Sequence, residues 1–189
     1  MDIDIDTQKT FNPKDIFPNV TLASMVEQGE LVKHHVGVYF QNIAKDKETG
    51  LAAIPFREAE DEGYFKIDFL HLSALDHFES KEEMRALLRI EPDWNLLQSP
   101  GVVKKLDQIK NHFDVVSVVK PKSVIELADC IALLRPGKRH LLNAYIKDKK
   151  AVRPEIYRKT DKYYFKKPHA VAYAATIVLQ LHLVKAGLL

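Results

Sequence analysis

Cysteine is almost missing from this 189-residue chain, Cys130 being the only one. A lone thiol excludes an intrachain disulfide framework and points to a reducing, cytoplasmic setting; the position itself reads as a small buried hydrophobe. Charge of one sign is lacking too. Lysines and arginines number 28 against 26 acids, a formal net of +2. That falls short of the basic balance of a stand-alone nucleic-acid binder, so any such contact must rest on local charge. Long apolar runs are also absent. Gln180 and His182 break the most apolar stretch, Ala170 to Val184, before about 20 apolar residues accumulate, so it reads as a buried helix and no membrane partner is expected. The first residues show no basic-then-apolar leader, and the chain holds no internal repeat or low-complexity tract. What is present, 46% hydrophobic and 29% charged residues, belongs to a folded chain long enough for one domain or one and a half.

Periodicity divides the chain. Met-Asp-Ile-Asp-Ile-Asp over 1–6 alternates as a strand with one acidic and one apolar face. Two more strands are expected at Val32 to Ile43 and Leu51 to Phe56, joined through a polar hairpin connection at Lys45 to Gly50, and a further one at Phe65 to Phe69. From Ser80 the spacing turns helical, over Lys81 to Arg89, Gly101 to His112, Ser123 to Leu134, Arg139 to Asp148 and His169 to Lys185. Lys147 to Tyr164 reads as a basic, aromatic connector. The fold class is therefore α+β, with a sheet-bearing part over 1–79 and a helical part over 80–189.

Alternation puts Asp2, Asp4 and Asp6 on one side of the first strand. Clustered carboxylates are costly unless a cation neutralises them, and hard oxygen ligands suit Mg²⁺; an exposed acidic strand is the plainer reading of that segment alone. Gly-Tyr-Phe-Lys-Ile-Asp-Phe-Leu at 63–70 adds to it, because Lys66 and Asp68 share a face opposite Phe65, Ile67 and Phe69. If this strand lies beside the first, Asp2, Asp4 and Asp68 form a trio able to hold two metals about 3.5 to 4 Å apart for in-line phosphoryl displacement. Lys66 would then face the phosphates.

Asp-Ile-Asp-Ile-Asp followed by Phe-Lys-Ile-Asp-Phe-Leu resembles the catalytic core of the bacterial family C DNA polymerases, the alpha subunits of DNA polymerase III. Three further blocks keep that family's order, the first lying between these two motifs and the others after them. His34-His35-Val36-Gly37-Val38-Tyr39-Phe40 is similar to a strand of its palm. Lys120-Pro121-Lys122-Ser123 through Arg135-Pro136-Gly137 is similar to a segment of its fingers. Phe165-Lys166-Lys167-Pro168-His169-Ala170-Val171-Ala172-Tyr173-Ala174 is similar to its last conserved helix.

The resemblance implies a small nucleotidyltransferase-like, polymerase-beta-like palm followed by a shortened fingers-like region. It implies that Asp2, Asp4 and Asp68 are the catalytic residues and the ligands of two Mg²⁺ ions. Lys66, Arg135, Lys167 and His169 become candidates for nucleotide or phosphate binding. For Arg135 the physical ground is the bidentate fit of guanidinium to phosphate, and for His169 and the lysines before it, the position at a helix N-terminus. In the connector Lys149, Lys150, Arg153 and Arg158 are candidate DNA contacts, with a solvated loop as the equal alternative; Tyr173 reads as a packing residue.

Partners are then primer-template DNA and deoxynucleoside triphosphates. Only 27 residues, Thr7 to Lys33, stand where the family usually inserts most of a thumb. Its glycine and serine turn would precede Met1, so a second polymerase chain is expected to supply that turn. Pro168, Lys166 and Lys138 depart from the family's serine, asparagine and proline. The expected function is template-directed nucleotidyl transfer by a reduced or split polymerase, the alternative being a catalytically inactive relic that binds DNA or a replisome protein. A two-metal nuclease is chemically allowed, but nothing in the helical half points to it.

Overall fold

A computed structural model describes residues 2–7 and 11–189, with the side chains of Asp2, Ile3, Asp4 and Asp6 outside the described part. The chain is α+β and divides into two compact units, residues 1–76 and 77–189. The division falls in a 3₁₀ turn, Ser73–His77, a few residues ahead of the expected boundary at 79.

Unit 1 is built on a four-stranded mixed sheet of order β1-β4-β3-β2, where β1 is Asp2–Asp6, β2 Thr21–Glu27, β3 Glu30–Tyr39 and β4 Lys66–Leu70. β1 runs parallel to β4; the other neighbours are antiparallel. The β2–β3 hairpin turns on Gln28 and Gly29, whose φ values of 52° and 88° suit a two-residue turn that follows the strand twist. Sequence reading passes over β2 and expects a strand at 51–56 instead. That segment makes only isolated bridges, Lys45 with Ala52 and Ser24 with Pro55. Its backbone is tied by the Ser24 hydroxyl, which donates to the carbonyls of Ala52 and Ile54, and Pro55 then starts a helix.

Two short helices complete the unit, α1 at Pro13–Ile16 and α2 at Phe56–Asp61. Among the described residues, the buried core of this unit is small: Ala23, Tyr39, Ile43, Ala52 and Ala59.

Unit 2 is helical: α3 Lys81–Leu87, α4 Pro100–Val103, α5 Phe113–Val119, α6 Val124–Leu133, α7 Leu142–Lys147, α8 Lys149–Ile156 and α9 Lys167–Lys185. Ser80 and Ser123 cap α3 and α6 by accepting from the amides of Glu83 and Glu126. α6 and α9 are buried at the centre of a continuous apolar core, which includes Leu127, Ile131, Ile177 and Leu181.

Two expectations change here. The helix expected over 101–112 stops at Val103 and gives way to turns, with Gln108 at φ 64°. Gln180 of α9 captures that segment from the side, accepting from the Asp107 amide at 3.0 Å and donating to its carboxylate at 2.7 Å. The first half of the connector over 147–164 is helical, because Asp148 caps α8 by accepting from the Ala151 amide. No helix among the described residues is long and apolar enough to cross a membrane.

Candidate functional site

Register is what brings the acidic strand to the second motif. In the parallel β1–β4 pair, Asp2 stands abreast of Lys66, Asp4 of Asp68 and Asp6 of Leu70. On the other side of β4, Gly37 of β3 is abreast of Asp68 and Val38 of Ile67. The backbone positions of Asp4 and Asp68 are therefore neighbours on adjacent strands; the side chains of Asp2 and Asp4 lie outside the described residues. Among the described residues no group of three or more metal-ligating side chains forms.

Lys66 is 4% exposed, and its ammonium donates to both carboxylate oxygens of Asp68, at 2.6 and 2.5 Å. A buried ammonium needs such a partner, since desolvation without one costs several kcal/mol. The Lys66 Nζ also lies 5.6 Å from the centroid of the Phe56 ring, a cation–π contact at the start of α2. His34 packs edge-on against the same ring at 5.0 Å.

A bulge in β3 makes room for this cradle. Leu22 pairs with Val38 and Ser24 with Lys33, so residues 34–37 face the single residue Ala23. The His34 Nδ1 accepts from the amides of Val36 and Gly37 at 3.4 and 3.0 Å, holding the bulge. At Gly37 a Cβ would lie 2.5 Å from Lys66 Cδ and 2.8 Å from His34 Nδ1. The glycine is thus required by the lysine stem that crosses it. Sequence reading selects Lys66, Asp68 and this strand, but not Phe56 or the dependence of Lys66 on Gly37; a glycine inside a strand pattern was the available signal.

A carboxylate such as Asp68 could ligate a hard divalent cation, and here both its oxygens accept from Lys66. The Asp68 side chain is 14% exposed.

Compared with protein-family models and with curated proteins, the chain matches none. The remaining sequence-selected residues are spread over unit 2. Arg135 follows α6 and lies over Phe165, its Cζ 3.9 Å from the ring centroid, while donating to the Gln108 side chain at 2.8 Å. Its Nε is buried without a hydrogen-bond partner among the described residues, and burial holds its pKa below the ordinary guanidinium value. It is half buried and braced on the core.

Lys167 is exposed at the first turn of α9, with His169 half buried two residues on. Tyr173 stacks on Phe165 at 5.6 Å and 19°.

Of the connector residues, Lys150 is exposed, Lys149 pairs with Glu126 at 3.0 Å and Arg158 pairs with Glu155 at 2.9 Å. Arg153 has an inward task. Its Nε donates at 2.7 Å to Asp129, which is fully buried and also accepts from the hydroxyls of Tyr145 and Tyr157 at 2.7 and 2.9 Å. Lys66 and Asp68 therefore share one locus in unit 1, while Arg135, Lys167, His169 and the connector residues belong to unit 2.

Proposed function

We propose that this chain is a reduced or split palm-and-fingers piece of a DNA-directed DNA polymerase, with a polymerase-beta-like palm in unit 1. The observation that carries the reading is the parallel register that sets Asp4 abreast of Asp68 and Asp2 abreast of Lys66. A template-directed transfer needs acids converging from neighbouring strands, with a cationic group beside them for phosphate.

In the reaction, the primer 3′-oxygen bonds to the α-phosphorus of the incoming deoxynucleoside triphosphate. The bond from that phosphorus to the bridging oxygen breaks, pyrophosphate leaves and the hydroxyl proton passes to solvent. Two Mg²⁺ ions held by Asp2, Asp4 and Asp68 would supply the positive charge that activates the hydroxyl and stabilises the leaving group. The ammonium of Lys66, held beside the Phe56 ring and over Gly37, would supply positive charge for the phosphate oxygens.

Primer extension by the chain with candidate partner chains tests this. Asp4→Asn is expected to abolish extension while leaving the far-ultraviolet circular dichroism unchanged, and Asp68→Asn to abolish it together with a lower melting temperature, because the buried Lys66 ammonium loses its carboxylate; extension that survives either substitution overturns the assignment.

One observation favours a second reading. The Lys66 ammonium already satisfies both oxygens of Asp68, as in a relic whose carboxylate has become a structural ion pair. That reading predicts no Mg²⁺-dependent activity in any combination of chains, with DNA binding retained.

A further inference from the structure

The two units carry opposite charge, a fact the whole-chain balance conceals. Unit 1 holds 7 lysines and arginines against 14 acids, a net of −7, and unit 2 holds 21 against 12, a net of +9. Unit 2 is therefore as basic as a nucleic-acid-binding domain of its size. The excess is concentrated between Lys147 and Lys167, where nine basic residues stand among Asp148, Glu155 and Asp161.

Within that stretch the segment after α8 is clamped from below. The Gly137 amide donates to the Tyr163 carbonyl at 3.0 Å, and a Cβ at Gly137 would lie 2.8 to 3.1 Å from Thr160, Lys162 and Tyr163. Lys138, 5% exposed, donates to the Glu155 carbonyl and lies 5.7 Å from the Tyr164 ring centroid. Arg135 lies under Phe165. The turn Arg135-Pro136-Gly137-Lys138 thus fastens residues 155–165 at four points.

Between these anchors Tyr163 is turned outward, 59% exposed and the most exposed aromatic ring among the described residues. Its ring meets Phe165 edge-on at 5.8 Å, so its position is defined by packing although most of it faces water. Lys159, Lys162 and Lys167 flank it in sequence, all exposed and outside any ion pair among the described residues.

We propose that this clamped segment is a binding surface for single-stranded nucleic acid, with Tyr163 as the stacking platform for a base and Lys159, Lys162 and Lys167 as phosphate contacts. An exposed, pre-positioned aromatic ring among unpaired cations is the arrangement that holds a strand without reading its sequence: the π-face accepts any base and the lysines follow the backbone. Lys149, Arg153 and Arg158, engaged by Glu126, Asp129 and Glu155, are the scaffold of this surface. The inference deepens the polymerase reading by naming where a strand is held, and it rests on that reading only for the strand's role.

Fluorescence anisotropy of the full chain with a labelled oligothymidylate of about 15 nucleotides tests it. Tyr163→Ala is expected to weaken binding roughly tenfold to a hundredfold and Tyr163→Phe to keep it within about twofold. The triple change Lys159→Gln, Lys162→Gln, Lys167→Gln is expected to flatten the slope of log affinity against log salt by about 2. A chain that binds the oligothymidylate in this way but extends no primer concerns the catalytic assignment alone.

Absence of binding at low salt, tighter binding to duplex of the same length, equal binding to anionic vesicles, or an unchanged affinity in Tyr163→Ala would each overturn the proposal. Circular dichroism of each variant excludes unfolding as the cause, and Tyr163→Phe separates loss of the ring from loss of the fold.

Discussion

Gly37 shows how one residue governs the candidate site. Its missing Cβ leaves the space that the Lys66 stem fills, 2.5 Å from where a methyl group would be. Gly37→Ala is expected to destabilise unit 1 by about 1–3 kcal/mol, the usual range for over-packing a fitted site. It should also detach the ammonium from Asp68. Urea unfolding monitored by the sheet signal checks the first effect; a loss under about 0.5 kcal/mol would mean that the lysine stem bends aside. Residues whose role follows from alternation or capping were legible in the sequence: Lys66 and Asp68 on one face, Ser123 before α6. The Gly37 requirement was not, because it arises from a side chain on the neighbouring strand, 29 positions away.

Elements were legible where local pattern and tertiary context agree, as in α3, α6 and α9. β2 escaped because it lacks clean alternation: Thr21, Ala23 and Ser24 are all buried. α8 escaped because its charges looked like those of a solvated loop, whereas Arg153 serves the buried Asp129. Asp129→Ala is expected to cost about 3–5 kcal/mol, since it strands a guanidinium and two phenols. Arg153→Leu should cost less, because both tyrosines still donate to the carboxylate. Unfolding midpoints of the two variants in denaturant decide; the reverse order would show that the arginine, and not the tyrosines, satisfies Asp129.

The same elements set an alkaline limit. Burial pushes the Cys130 thiol up to about 12. Burial, reinforced by Asp129, raises the phenols of Tyr145 and Tyr157. The folded state favours the neutral form of all three. Their stabilising contribution is therefore complete below the unfolded-chain values of about 8.5 for thiol and 10 for phenol, and is lost as pH rises above them. The melting temperature is expected to hold through neutral pH and to fall between about pH 9 and 12, less steeply in Tyr157→Phe. A fall of the same steepness in that variant would remove Tyr157 from the account.

At the scale of the molecule, averaging hid what division reveals. A net charge of +2 contains a −7 unit and a +9 unit, so the composition that argued against a nucleic-acid binder describes neither half. The units also differ in what holds them. Twenty-one buried residues form one core in unit 2, among the described residues, against five in unit 1. A segment of unit 1's length with so small an apolar core is marginal by itself, because surface area outgrows burial in short chains. Residues 77–189 expressed alone are therefore expected to keep their helical circular dichroism and melt cooperatively. Residues 1–76 alone are expected to give poorly dispersed amide resonances and no cooperative transition. A sharp melt of 1–76 would mean that the β1–β4 pairing and the Lys66–Asp68 cradle sustain the sheet unaided. The acidic strand would then be held in register before any cation, nucleic acid or second chain arrives.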